Sequence, residues 1–334
     1  MRFRSSYPCV LVALALVSLV LLPTLADAQS APKTPWGHPD LQGIWTSSGA
    51  TPFERPTDMV GRERLTDEEV SSIRAATEER DEELLNAAAR RTSAGGSVGA
   101  YNNFWMDRGA RTDRTSMVID PPDGRLPPLT PAGELRRATG EKAPGGMEND
   151  DTWEDRHIWE RCVTRGGMPN AMFPRSYNNN MQVFQTEDHV VMLIEQVHEV
   201  RVVSLDGREH PSSKVYGWNG LSTGHFEGDT LVVVTSNIHP NVSALQPWSI
   251  FNSKEGSGSE MTLIERFTPT GPDSLEYEVE VFDPKMYTRA WTVAYPFSRM
   301  DDLMYEYACH EGNEGMIGIL AGGRAEEAVG AGGQ

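Results

Sequence analysis

Ser274-Leu275-Glu276-Tyr277-Glu278-Val279-Glu280-Val281-Phe282 decides the fold. Leu275, Tyr277, Val279 and Val281 alternate with Glu276, Glu278 and Glu280, a period of two that puts apolar side chains on one face of a strand and carboxylates on the other. Such a strand needs a cover for its apolar face. Neighbouring runs offer it. Thr288 to Pro296 and Leu303 to Cys309 follow, while Met181 to Thr186, His189 to Ile194, His198 to Leu205, Thr230 to Ser236 and Glu260 to Phe267 precede, with turn signals such as Glu187-Asp188 and Asp206-Gly207 between them. Seven or eight strands in this order read as an antiparallel meander. Closure into a barrel removes the edges that an open meander exposes, so a mainly β, closed barrel is expected, with a β-sandwich as the alternative.

Before residue 165 the chain reads as helical and irregular. Thr66-Asp67-Glu68-Glu69 is a capping box that opens a charged helix running to about Arg91. Ser93 to Gly99 is a break, and Pro121 to Pro131 a proline-rich loop. A second helix is expected over Trp153 to Cys162, with Trp153, His157 and Arg161 on one face and Ile158 and Cys162 on another. The expected organisation is one barrel domain over 29–334, with this material, about 60–165, packed on it.

Residues 1–28 read as a cleaved secretion signal: Arg2 and Arg4, then the apolar run Val10 to Leu22, then Ala26-Asp27-Ala28 before Gln29. Of three cysteines Cys9 leaves with it, and in an oxidising compartment Cys162 and Cys309 are expected to join. That bridge closes nearly half the chain, worth about 4 to 5 kcal/mol in loop-closure entropy. Losing Arg2, Arg4 and Asp27 moves the formal charge from −18 to −19. So acidic a surface excludes nucleic acid as a partner, and no stable membrane insertion is expected. The expected partner is a small molecule, in the periplasm or outside the cell.

Candidate chemistry lies in polar groups among the strands. Glu195, His198 and Arg201 interrupt a Val, Met, Leu and Ile stretch; His198 reads as a general acid or base tuned by Glu195, with Arg201 clamping an anion, or the set is a buried ion pair beside a satisfied histidine. Strict alternation puts His198 on the opposite face from Glu195 and Arg201, unless a bulge near Gln196 re-aims the chain. Tyr177, Asn178, Asn179 and Asn180 offer a phenol and three amides, either to a substrate or to a turn. Tyr101, Asn103 and Trp105, and His310 and Glu311 beside the disulfide, are expected to bind substrate, with a loop folded over the mouth and a plain surface loop as the respective alternatives. Glu265 shares parity with Met261, Leu263 and Phe267, which puts a carboxylate on an apolar face, to be explained by a raised pKa or a hidden partner.

Gly43-Ile44-Trp45, after Pro39-Asp40-Leu41-Gln42, resembles the Gly-x-Trp opening of lipocalin-type barrels, in which the tryptophan plugs one end. Pro39 to Trp45, Tyr101 to Trp105, Tyr177 to Asn180, Phe226 to Val233 and Tyr305 to Asn313 together resemble a large group of exported proteins of Gram-negative bacteria. That resemblance implies the cell envelope and that these polar stretches share one site; it implies no activity. Zinc, nucleotide and serine-hydrolase motifs are lacking, and no metal or cofactor is assigned. Two classes stay open: a lyase, isomerase or hydrolase working by acid–base chemistry on a small polar or aromatic molecule, with Arg201, Tyr177 and Asn179 binding developing negative charge, and a lipocalin-like carrier of an apolar ligand.

Overall fold

The computed structural model describes residues 32–47, 49–87, 106, 109, 111–139, 151–156, 158–210, 215–240, 242 and 259–331. The signal, the 93–99 break, His157 and the Tyr101, Asn103 and Trp105 loop lie outside them. The strands are β1 (Gly43–Thr46), β2 (Val118–Asp120), β3 (Asn180–Gln185), β4 (His189–Ile194), β5 (Glu199–Ser204), β6 (Leu221–Glu227), β7 (Thr230–Ser236), β8 (Thr262–Gly271), β9 (Ser274–Phe282) and β10 (Trp291–Met300); the helices are α1 (Asp67–Asn86), α2 (Pro131–Thr139) and α3 (Glu314–Ala331). Nine strands close in the order β1, β3 to β10, with β1 paired to both β3 and β10, and β2 lies outside on β10. Every neighbouring pair is antiparallel except β5 and β6, which run parallel over only Val203–Ser222 and Ser204–Thr223. The barrel is therefore mixed.

Alternation carries the interior. On β9, Leu275, Tyr277, Val279 and Val281 are buried as the pattern requires, and Met181, Val183, Val190, Met192 and Ile194 do the same on β3 and β4. Large side chains fill the barrel, among them Trp45, Phe267, Tyr277, Trp291 and Phe297. Thr66 and Glu69 form the expected capping box of α1, and Glu69, held by the Arg62 side chain and the Thr66 N–H, has its carboxyl lowered to about 2. Only Val70 of α1 is buried, so this helix is solvated on most sides.

Several expectations change. Trp153 to Cys162 is a short 3-10 turn at Trp153–Asp155 followed by turns, although Ile158 and Cys162 are both buried as expected. Leu303 to Cys309 is not a strand but a roof segment without regular structure. β6 and α3 were not expected: β6 lacks apolar alternation and carries Gly224, while α3 carries Gly315, Gly318, Gly322, Gly323 and Gly330, which disfavour a helix. Gly224 sits where a Cβ would meet Val203 Cγ1 at 2.8 Å, so the parallel seam needs a glycine there.

Closure rests on Gly43-Ile44-Trp45. Trp45 is buried, its Nε1 donates to Leu41 O at 2.9 Å, and the Arg299 guanidinium of β10 lies 4.5 Å over its ring. Arg299 Nη1 donates to Gln42 O at 2.9 Å by passing across Gly43, whose φ is +126° and where a Cβ would stand 2.2 Å from that nitrogen. Trp45→Ala should lower unfolding free energy in urea by about 3–5 kcal/mol, and Arg299→Ala by about 1 kcal/mol; a Trp45→Ala loss under about 1 kcal/mol would contradict the closing role.

Candidate functional site at the barrel mouth

Glu199, Arg201 and Val203 all point inward from β5, so two opposite charges enter the barrel on one strand face. Arg201 forms the hidden partner of Glu265: Nη1 donates to Oε1 at 3.1 Å and Nη2 to Oε2 at 2.7 Å. Tyr277 OH donates to Glu265 Oε1 at 2.9 Å and Thr235 Oγ1 to Oε2 at 3.0 Å, while Arg201 Nη2 also reaches Thr235 at 3.1 Å and Ser222 at 3.3 Å. Both charged side chains are sealed from solvent, with 1% and 0% exposure. Burial, the largest single influence, lowers the Arg201 pKa, but the charge and hydrogen bonds of Glu265 together with Tyr277 and Glu199 outweigh it and the value ends raised. Burial, then Glu265, pushes the Tyr277 phenol far above its ordinary value.

Toward the mouth the pairing fails. Glu199 Oε1 accepts from Thr164 Oγ1 at 2.7 Å and from the Arg165 backbone N–H, whereas Oε2 is buried without a partner. Burial raises its pKa, opposed by the Arg165 N–H, Thr164, Asn219 and the Arg165 charge. Arg165 is 4% exposed, its Nε is buried without a partner, and among the described residues it forms no ion pair. Burial, then repulsion from Arg175, lowers its pKa well below the ordinary value; Glu199, Tyr177 and Tyr307 act the other way. Arg175 is lowered to about 10, again by burial. Glu265, Arg201, Glu199, Arg165 and Arg175 thus form a ladder from core to mouth in which only Arg201 and Glu265 pair at contact distance, with the buried Glu195 on Asn180 as a further carboxylate at this end.

Local folding sets these positions. Arg165 and Arg175 bracket residues 166–174, which hold no charge. Thr164 Oγ1 accepts from Gly167 N at 3.0 Å, and Ala171 N donates to Gly167 O at 3.0 Å, winding the segment across the barrel end. Gly167, at φ +68°, packs where a Cβ would meet Val242 Cγ1 at 2.5 Å. The roof, 301–313, is pinned by the Cys162–Cys309 disulfide, by His198 Nδ1 against Tyr307 O at 3.0 Å and by Asn313 Nδ2 donating to Glu160 O at 2.9 Å. A small cavity of about 10 Å³, room for roughly one water, lies against Arg165, Asn178, Asn179 and Asn180.

The residues singled out in the sequence divide accordingly. Glu195, His198 and Arg201 do not converge, because a 3-10 turn at Gln196–His198, with Val197 at φ +61° and His198 at φ +42°, breaks the strand between them. Glu195 is buried and accepts from Asn180 Nδ2 at 2.7 Å; Arg201 lies in the core; His198 is exposed, its ring 5.5 Å from that of His310. A carbonyl only accepts, so His198 Nδ1 donates to Tyr307 O and Nε2 remains as the basic nitrogen. His310 and Glu311 are exposed on the roof. Asn179 is occupied by the Arg175 backbone, with two bonds of 2.7 Å, so it shapes the turn. Tyr177 sits within electrostatic reach of both mouth arginines, and Asn178 lines the cavity.

Sequence reading passed over Arg165, Arg175 and Glu199. The parity of Glu199 with Arg201 and the charge-free run between the two arginines were the available signals. Among the described residues no group of three or more His, Cys, Asp or Glu could hold a metal ion, and no helix is long and apolar enough to cross a membrane. Comparison with protein-family models, curated proteins and solved structures finds no match to this chain.

The two buried arginines should respond oppositely to the same substitution. Arg201→Met strands Glu265 and should cost about 3–5 kcal/mol in denaturant unfolding, whereas Arg165→Met removes an unmatched charge and should be neutral or stabilise by about 1–4 kcal/mol. A loss above about 1 kcal/mol for Arg165→Met would show that a protein partner already satisfies it.

Proposed function

We propose that the protein is an enzyme of the cell envelope, a lyase, isomerase or hydrolase that works by acid–base chemistry on a small molecule at the barrel mouth. The observation that carries this reading is Glu199, a buried carboxyl with a raised pKa and an unpartnered Oε2, held within electrostatic reach of the Arg165 guanidinium, whose Nε is likewise buried without a partner. A carboxyl whose pKa is raised by burial keeps its proton to higher pH than an exposed one and can deliver it, and a buried cation nearby stabilises an enolate or oxyanion as charge develops. Glu199 takes the acid–base role, Arg165 binds the developing charge, and Tyr177 and Asn178 orient the substrate. His198 and His310 lie at the exposed lip, so they steer entry rather than chemistry. A carrier holding its ligand inside the barrel finds less support, since Trp45, Tyr277, Phe267, Trp291 and Phe297 occupy that interior.

Glu199 has a folded pKa above its unfolded value. The protonated form therefore works below that raised value, and activity should fall as pH rises through it. The test is to incubate the purified mature protein with extracts of polysaccharide, lignin-like and lipid material and to follow mass changes. Glu199→Gln should cut any turnover by about 10²-fold or more, while His198→Ala changes it by less than about tenfold. Full turnover by Glu199→Gln would refute the assignment.

A further inference from the structure

The buried guanidinium of Arg165, which forms no ion pair among the described residues, says what the ligand brings. The ladder balances Glu265 against Arg201 at contact distance and leaves Glu199 facing two guanidiniums. Holding a cation away from water without an ion pair is costly, and the cost is recovered when an anion supplies the missing contact. The cavity beside Arg165 has polar groups from Asn178 and Asn180 and apolar walls from Phe173, Met181 and Phe297. Its small size suits the end of a molecule rather than a whole one. A planar guanidinium that has no carboxylate of its own among the described residues matches the planar fork of a carboxylate better than a tetrahedral sulfate or phosphate.

We infer that the mouth takes a small organic acid with one carboxylate, seated on Arg165 with Arg175 reinforcing the charge and the apolar remainder against Phe173 and Phe297. This rests on the mouth being the working site. The experiment uses the full mature protein with its disulfide intact and follows melting temperature and titration heat. Acetate, propionate and benzoate are each compared with the corresponding amide, and with chloride and sulfate, at constant ionic strength. The carboxylates should raise the melting temperature saturably while the amides do not, and Arg165→Met should weaken the carboxylates at least about tenfold. Arg165→Lys, which keeps the charge but loses the fork, should bind less tightly than the wild type and carries the test should Arg165→Met not fold. Equal shifts from the amides, from chloride or from sulfate would overturn the inference, as would unchanged affinity in the arginine variants. Carboxylate binding without turnover of any carboxylate removes the enzyme reading and leaves this one standing. Turnover confined to neutral compounds does the reverse.

Discussion

One guanidinium spans the barrel's weakest seam. β5 and β6 share only two paired positions in parallel register, and Arg201 reaches from β5 to Ser222 on β6, Thr235 on β7 and Glu265 on β8. A buried ion pair contributes little net stability compared with apolar packing, but breaking one is costly, and its fixed geometry selects one arrangement of strands. Here the same contacts that tie four strands also hold a charge in the core. Every further charge toward the mouth is therefore read against it.

That constraint gives the mouth its character. Glu199 lies between Arg201 and Arg165 and acts electrostatically on both, so it serves two cations without contact pairing to either. The Cys162–Cys309 bridge and the His198 to Tyr307 contact pin the roof segment at this end of the barrel. A dry, unbalanced site costs stability, and proteins keep such sites where ligands complete them. The barrel supplies rigid strands for Glu199 and Arg201, whereas Arg165 and Arg175 stand on a wound segment fixed by Thr164 and Gly167.

Much of the barrel was legible because its strands alternate. β9, β3 and β4 declare their buried faces, and the Thr66 to Glu69 box declares the start of α1. β6 was hidden because it lacks apolar alternation and has no fully buried residue to mark an inward face. The roof was misread as a strand because Tyr305, Tyr307 and Cys309 alternate, yet no strand stands beside them, and Tyr305 is 76% exposed. For the site, Glu265 was flagged by parity and Arg201 by its apolar neighbours, but their pairing needs closure of the barrel across 64 residues of sequence. Arg165 stayed unseen since an arginine in a glycine- and proline-rich stretch looks like surface. Only the folded structure, in which residues 164–173 are all buried, shows that it is withdrawn from the surface.

The most direct measurement is a crystal structure of the disulfide-bonded protein grown with propionate. The unmatched charge predicts a carboxylate against Arg165 beneath the roof, with Arg201 still locked on Glu265. Propionate bound elsewhere, with the Arg165 guanidinium capped by protein carbonyls or carboxylates, would contradict it.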